Sequence, residues 1–363
     1  MGTKEYCDEK NARKTSREKA NSYNEKYSKK EDNNGKRKME ERDFEVMKDK
    51  KMKDITEGEC NSICPLCSSK EALFMKKAML GEKSSNYLKC KLCGLVYVCP
   101  QFVDIDIQQY YETQEYFEHA RGYNLKNLKK QFYEECRGGV QRLIILKKIL
   151  NYTVKNKKIL DIGCATGGFL YESKKKGAIC YGIEPFKNYG SFAKKKLGNI
   201  YLNIFEEVDF NQKFDLITSF GVFYHFRNPN NVLKKFYELL NDDGRLLIGS
   251  VPNLDAHEFD IGGEAQYMPF FYSSSTLQKL VSKNNFKIEA MFSMGATRTI
   301  EKSSKTERQK NVFKDLVRNI LKYPYISYLL SKFCYSLYPE RGISSINRDT
   351  LDGETMYLFC SKR

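Results

Sequence analysis

Lys158-Ile-Leu-Asp-Ile-Gly-Cys-Ala-Thr-Gly-Gly-Phe-Leu170 is the stretch whose reading decides the fold. Its opening apolar run ends at Asp161, too short for a helix and the right length for a buried strand. Gly163, Gly167 and Gly168 then punctuate a loop, and Phe169, Leu170, Ser173 and Lys174 begin a helical pattern. Strand, glycine loop and helix together open a βαβ nucleotide site. Glycines let backbone approach a ligand, and the first turn of the helix offers unpaired amides.

The spacing narrows the ligand. A dinucleotide loop reads G-x-G-x-x-G and seats a pyrophosphate on the helix. Here an acid stands two residues before Gly163, and three residues separate Gly163 from Gly167. A carboxylate at the strand tip repels a pyrophosphate but suits an amine or a sulfonium, as S-adenosylmethionine carries. The D-x-G-x-x-x-G-G loop resembles the first motif of class I methyltransferases.

Downstream the chain alternates at the pitch of a parallel α/β sheet. Residues 178–183 read as a second strand ending at Glu184, an acid about 20 residues past the loop, where a ribose diol needs a two-oxygen acceptor. Strands are predicted over 200–202, 214–219 and 245–251. The helix 232–240 between the last two is stopped by Asp242-Asp243-Gly244. A helix over 274–281, a sixth strand over 286–292 and a last strand over 356–360 follow. The order of motifs (glycine loop, acid, F-D-x-I, D-G-x-L-x-I, V-P-N) resembles methyltransferases of surface-saccharide and ubiquinone-type pathways. That resemblance implies an α/β, Rossmann-like, doubly wound sheet whose last strand enters antiparallel.

Upstream, Cys64-Pro-Leu-Cys67 and Cys90-Lys-Leu-Cys93-Gly94 form two C-x2-C pairs 22 residues apart. Paired thiolates at this spacing fit a tetrahedral, closed, structural zinc site, and Gly94 permits the tight turn beneath it. Cys60 and Cys99 stand outside the pairs and read as bystanders. The C-x-x-C-G-L-V-Y lead-in and the later Tyr110, Tyr111, Tyr116 and Phe117 resemble the zinc ribbon of the same saccharide-modifying group, which extends the likeness from Cys64 onward. The four aromatics read as a cofactor lid or as packing between domains.

Composition sets the remaining bounds. The chain has 363 residues, 41% hydrophobic, with a net charge of +16. No run of about 18 apolar residues occurs, so no membrane span is predicted. The stretch 316–338 reads as a covering helix pair. Twelve cysteines without a secretory pattern point to a reducing compartment, hence a cytoplasmic protein. The positive charge reads as solvated lysine-rich helix faces, with an anionic partner as the rival. Expected domains are a disordered charged tail (1–57), a zinc ribbon (58–100), a helical bridge or lid (101–150), the methyltransferase core (151–294), and a helical insert with the final strand (295–363).

Ligands of parallel α/β sheets bind beyond the carboxyl ends of the strands. The family resemblance assigns the methionyl end of S-adenosylmethionine to Asp161, Gly163 and Gly167, the ribose to Glu184, the adenine border to Asn203–Phe205, and the floor to Phe220 and Gly221. His225, where relatives carry an E-H pair and this chain has Tyr224 before it, is the candidate base for an acceptor hydroxyl. His257, Glu258, Tyr267 and Tyr272 are acceptor-side candidates. The acceptor implied is a saccharide or other small-metabolite hydroxyl. An RNA methyltransferase is the rival, although no N-P-P-Y loop or Pro-Cys nucleophile stands at the expected strands. A catalytically silent binding module is the third reading.

Overall fold

The computed structural model describes residues 63–80, 83–102, 127–256, 268–295, 324–337, 346–347, 351 and 353–363. All of them fall within one compact unit, Lys53–Arg363. The charged tail, Cys60, the aromatic run at Tyr110–Phe117 and the basic residues of 298–310 lie outside the described residues.

In chain order the elements are β1 (Ala72–Leu80), β2 (Lys83–Cys90), β3 (Val96–Cys99), α1 (Leu128–Ile144), β4 (Lys158–Ile162), α2 (Gly168–Lys175), β5 (Ile179–Ile183), α3 (Lys187–Leu197), β6 (Ile200–Tyr201), β7 (Phe214–Phe220), α4 (Pro229–Leu239), β8 (Leu240–Pro252), β9 (Phe270–Phe271), α5 (Ser274–Lys283), β10 (Phe286–Met294), α6 (Pro324–Leu337), β11 (Ile346–Asn347) and β12 (Thr355–Lys362). The larger sheet has the order β11-β10-β12-β8-β7-β4-β5-β6. Strands β4 to β8 pair in parallel, and β12 runs antiparallel between β8 and β10. This is the doubly wound sheet with an antiparallel last strand that the motif order implies.

Successive side chains on a strand face opposite sides, so each strand feeds two cores. Ile159, Leu216 and Leu247 pack with Ile145 and Leu146, Phe169 and Leu170 of α2, and Ala193 and Leu197 of α3. Leu160, Ile217, Leu246 and Ile248 pack instead with Val232, Leu233 and Phe236 of α4 and Leu277 and Leu280 of α5. Helices on both faces explain why these strands read as nearly unbroken apolar runs.

Helix α1 begins at Asn127, whose side chain accepts the Lys130 amide at 3.1 Å. It meets α2 at two glycines. A Cβ on Gly168 would lie 2.5 Å from the Cys136 nitrogen, and one on Gly139 would lie 2.9 Å from the Phe169 Cα. Only hydrogen at both positions lets the two helix backbones come this close. Helix α6 covers α1 and α2 through Tyr328, whose hydroxyl donates to the buried Glu172 at 2.6 Å. Ile326, Leu329, Leu330, Phe333 and Leu337 of the same helix stay exposed. Among the described residues no helix is long and apolar enough to cross a membrane.

The helix expected over 232–240 ends at Leu239, but Asp242-Asp243-Gly244 lies inside β8, which begins at Leu240 rather than at 245. The register passes from Phe214↔Leu240 directly to Leu216↔Arg245, so the extra residues bulge out of the ladder. Asp215 pins the bulge, accepting the Asn241 side-chain amide at 2.9 Å and the Lys158 backbone amide at 2.7 Å.

Candidate active site

The carboxyl ends of β4, β5 and β7 carry the candidate residues to one edge of the sheet. Asp161, next to last in β4, is 3% exposed and its Oδ1 accepts the Thr218 hydroxyl of β7 at 2.6 Å. Burial pushes its carboxyl up to about 7, and the nearby Glu135 and Glu184 carboxylates add to the rise; the Thr218 hydroxyl and the Arg142 guanidinium oppose it.

The loop after Asp161 is tightly held. The amides of Gly163 and Cys164 both donate to the Ile183 carbonyl of β5 at 2.9 Å. Gly163 sits at φ +71, and a Cβ there would lie 2.3 Å from Cγ2 of Val222, in the loop after β7. Gly167, at φ +83, is the N-cap of α2.

Glu184 follows β5 and is 8% exposed. Its Oε2 accepts the Ala165 amide at 2.8 Å and its Oε1 accepts the Phe186 amide at 3.0 Å. These two bonds fix the orientation of the carboxylate.

Two residues of this site escaped the sequence reading. Glu135 on α1 accepts the Thr166 amide at 3.0 Å and the Thr166 hydroxyl, closing the glycine loop from the α1 side. Gln131, one turn earlier, donates to the other Glu135 oxygen at 2.8 Å. Arg142, two turns after Glu135, lays its guanidinium 4.1 Å from the centroid of Phe220. Glu135, Gly139 and Arg142 fall at i, i+4 and i+7, one helical stripe. That spacing puts the three on one face of α1 and does not say what the face meets.

The remaining predicted residues separate. Phe220, the last residue of β7, is buried with its ring edge-on to Phe169 at 5.2 Å. Gly221 follows it at φ +69. Asn203 is exposed just past β6, whereas Phe205 turns into the core, 5.0 Å from the ring of Phe236. His225 ends a single helical turn, Phe223–His225, beyond β7; it is half-buried, and its ring centroid lies 4.3 Å from that of Tyr224. Tyr272 is fully buried, between Phe270 and Phe223. His257, Glu258 and Tyr267 lie outside the described residues.

The four cysteines converge. Their sulfur atoms all lie within 4.8 Å of one another, with Cys64 to Cys93 at 3.6 Å and Cys67 to Cys90 at 3.5 Å. Gly94 takes φ +80 beneath them, and the Cys93 amide donates to the Cys90 sulfur. Burial pushes the Cys64 thiol up to about 11. At Cys90 burial is outweighed by the Cys93 amide and the Cys67 thiol, which draw it down to about 7. Four sulfurs that converge in this way could hold a tetrahedral metal.

Several known proteins are similar to this chain in sequence. Residues 111–291 match the family model described as a methyltransferase domain. A ubiquinone biosynthesis O-methyltransferase of Glaesserella parasuis is 35% identical over 108 residues, covering 26% of this chain and 45% of that protein. A tRNA U34 carboxymethyltransferase of Sulfurimonas denitrificans is 24% identical over 170 residues, covering 44% of this chain and 56% of that protein. The chain thus spans about half the length of the curated relatives it matches. Among solved structures, a SAM-dependent methyltransferase of Thermotoga maritima, described as a possible histamine N-methyltransferase, aligns over 69% of this chain and 100% of its own at 17% identity, with a TM-score of 0.42.

Proposed function

We propose that this chain, whose residues 111–291 match a methyltransferase domain model, is a class I S-adenosylmethionine-dependent methyltransferase acting on a hydroxyl of a saccharide or other small metabolite. The observation that carries the reading is the acidic surround of the glycine loop: Asp161, Glu135 and Glu184 interact electrostatically about one buried carboxyl. Such a cluster disfavours a phosphate and favours a cation.

When bound, S-adenosylmethionine supplies a methyl carbon already activated by positive sulfur. Asp161 and the glycine loop at Gly163 and Gly167 are the residues to hold its methionyl end. Arg142, held over Phe220, is a cation suited to its carboxylate. Glu184, at the end of β5, is the residue to take the ribose diol, as the family resemblance implies. Asn203 is the candidate at the adenine border, and Phe220 and Gly221 form the floor.

Because the methyl carbon arrives activated, the protein's main task is alignment, worth about 7–11 kcal/mol in model reactions. His225, on the loop after β7, is the group to take a proton from an acceptor hydroxyl. The four cysteines fit a structural zinc, which would make residues 58–100 a zinc ribbon like that of the saccharide-modifying group. The ubiquinone-pathway O-methyltransferase among the relatives supports a hydroxyl acceptor. The tRNA-modifying relative and the net charge of +16 favour the RNA alternative.

Transfer of tritiated methyl from S-adenosylmethionine into cell extract, fractionated into glycan, RNA, lipid and small molecules, separates these readings. Label is expected in the glycan or small-molecule fraction and should be lost on His225→Ala with cofactor affinity unchanged. Label confined to RNA would replace the proposed acceptor. Full turnover by the variant would remove His225 from the chemistry.

A further inference from the structure

The cysteine cluster and the candidate acceptor side are tied together by the backbone. Strand β3, which follows Cys93, does not end its sheet; it pairs antiparallel with β9, Val96 opposite Phe271 and Tyr97 opposite Phe270. The sheet order β1-β2-β3-β9 therefore borrows its fourth strand from a segment beyond β8. Two more bonds fix the approach to that strand: the Val98 amide donates to the Pro269 carbonyl at 3.0 Å, and the Tyr87 hydroxyl to the Met268 carbonyl at 3.2 Å. The same segment then returns to the larger sheet, where Tyr272 bridges Asn253 just past β8.

The loop after β7 is gripped in the same way. Gln101, two residues past β3, donates to the Arg227 carbonyl at 3.3 Å and accepts from Arg227 Nε at 3.2 Å. Arg227 is two residues beyond His225. The metal knuckle itself carries the next contacts. The carbonyls of Pro65 and Leu66, which lie between Cys64 and Cys67, accept the Asn230 side-chain amide of α4 at 3.2 Å and the Lys283 ammonium of α5 at 3.0 Å. Asn284 closes the set by donating to Asn230 Oδ1 at 3.0 Å. The apolar residues follow suit: Leu88, Val96, Tyr97 and Val98 share one core with Phe223, Phe226 and Tyr272.

By contrast, the loop at Gly163–Gly168 takes its bonds from Ile183 of β5, from Glu184 just past it and from Glu135 of α1. The cofactor half and the acceptor half of the edge thus have separate supports.

We infer that the metal held by Cys64, Cys67, Cys90 and Cys93 is a positioning element for the methyl acceptor. By fixing the knuckle at Pro65 and Leu66 it orders the loops that leave β7 and β8, and it leaves the cofactor loop alone. The assignment of acceptor and cofactor sides rests on the methyltransferase reading above; the coupling between metal and loops does not. Loops at the carboxyl ends of parallel strands are where such folds place their substrates. A chain of backbone and side-chain bonds from the metal to those loops is the contiguous network that coupling of this kind requires.

Hydrogen exchange of the full chain, zinc-loaded and after chelation at low temperature, tests the inference. Peptides covering 222–230 and 268–272 should exchange at least about tenfold faster once the metal is gone. Peptides covering 159–184 should be unchanged, and S-adenosylhomocysteine affinity should stay within about twofold. A second variant keeps the metal: zinc-loaded Arg227→Met should loosen 222–230 alone. Faster exchange confined to 63–102 would overturn the inference, as would loosening that reaches 159–184 equally. A purified protein that neither contains nor takes up zinc would overturn it together with the zinc assignment. Absence of nucleoside binding in both states would count against the methyltransferase reading, and the exchange pattern would still decide the coupling.

Discussion

Gly163→Val is expected to abolish measurable S-adenosylmethionine binding while leaving the protein folded. Valine at φ +71 occupies the left-handed region that L-residues enter at about 1–2 kcal/mol each. β-branching worsens that cost. The new Cβ also meets Cγ2 of Val222 at 2.3 Å, so the glycine loop must open away from Asp161. That opening takes apart the pocket, and a loss of at least about 100-fold in affinity, or about 2.7 kcal/mol, is the expected reading in a titration. Circular dichroism should remain native, because the strand and helix on either side keep their cores. Affinity within threefold of the native protein would show that the loop is not where the nucleoside sits.

Cys90→Ser is expected to have the largest effect on stability. Structural zinc sites of four cysteines contribute on the order of 10 kcal/mol of apparent folding energy in small domains. Here the cysteine-rich strands share their core with α4, α5 and β7, so part of that energy is felt by the whole unit. A share of about 4 kcal/mol would lower the melting temperature by about 8–16 °C. Metal analysis should fall from one zinc per chain to near zero in the same variant. Unchanged melting and no zinc in either protein would mean that the four thiols are a cluster without a metal.

Much of this architecture is legible in the chain, for a reason visible in the residues. The strands of the central sheet are buried on both faces, so Ile159, Leu160, Ile217 and Leu246 leave unmistakable apolar runs, and glycines mark the loop between them. The cysteine pairs are equally plain, since spacing alone brings two thiols to adjacent corners of a metal. What escaped was long-range. Nothing near Phe270 says that it will complete a sheet begun more than 170 residues earlier, because strand pairing across such a distance has no local signature. The bulge at Asp242-Asp243-Gly244 depends on Asp215, a partner on another strand. Glu135 and Arg142 matter only because Gly139 and Gly168 let α1 lie against the glycine loop, a contact invisible until both helices are placed.

The account depends on a pocket that receives a positively charged sulfur nucleoside beside Asp161. Calorimetric titration of the purified chain with S-adenosylmethionine, at pH 6 and pH 8 in buffers of different ionisation heat, tests this directly. With its carboxyl pushed up to about 7 by burial, Asp161 is largely protonated at pH 6. A cation beside it favours the carboxylate, so binding there should release a proton at pH 6 and almost none at pH 8. A saturable heat with that pattern is the predicted result; a flat trace at both pH values would contradict the account.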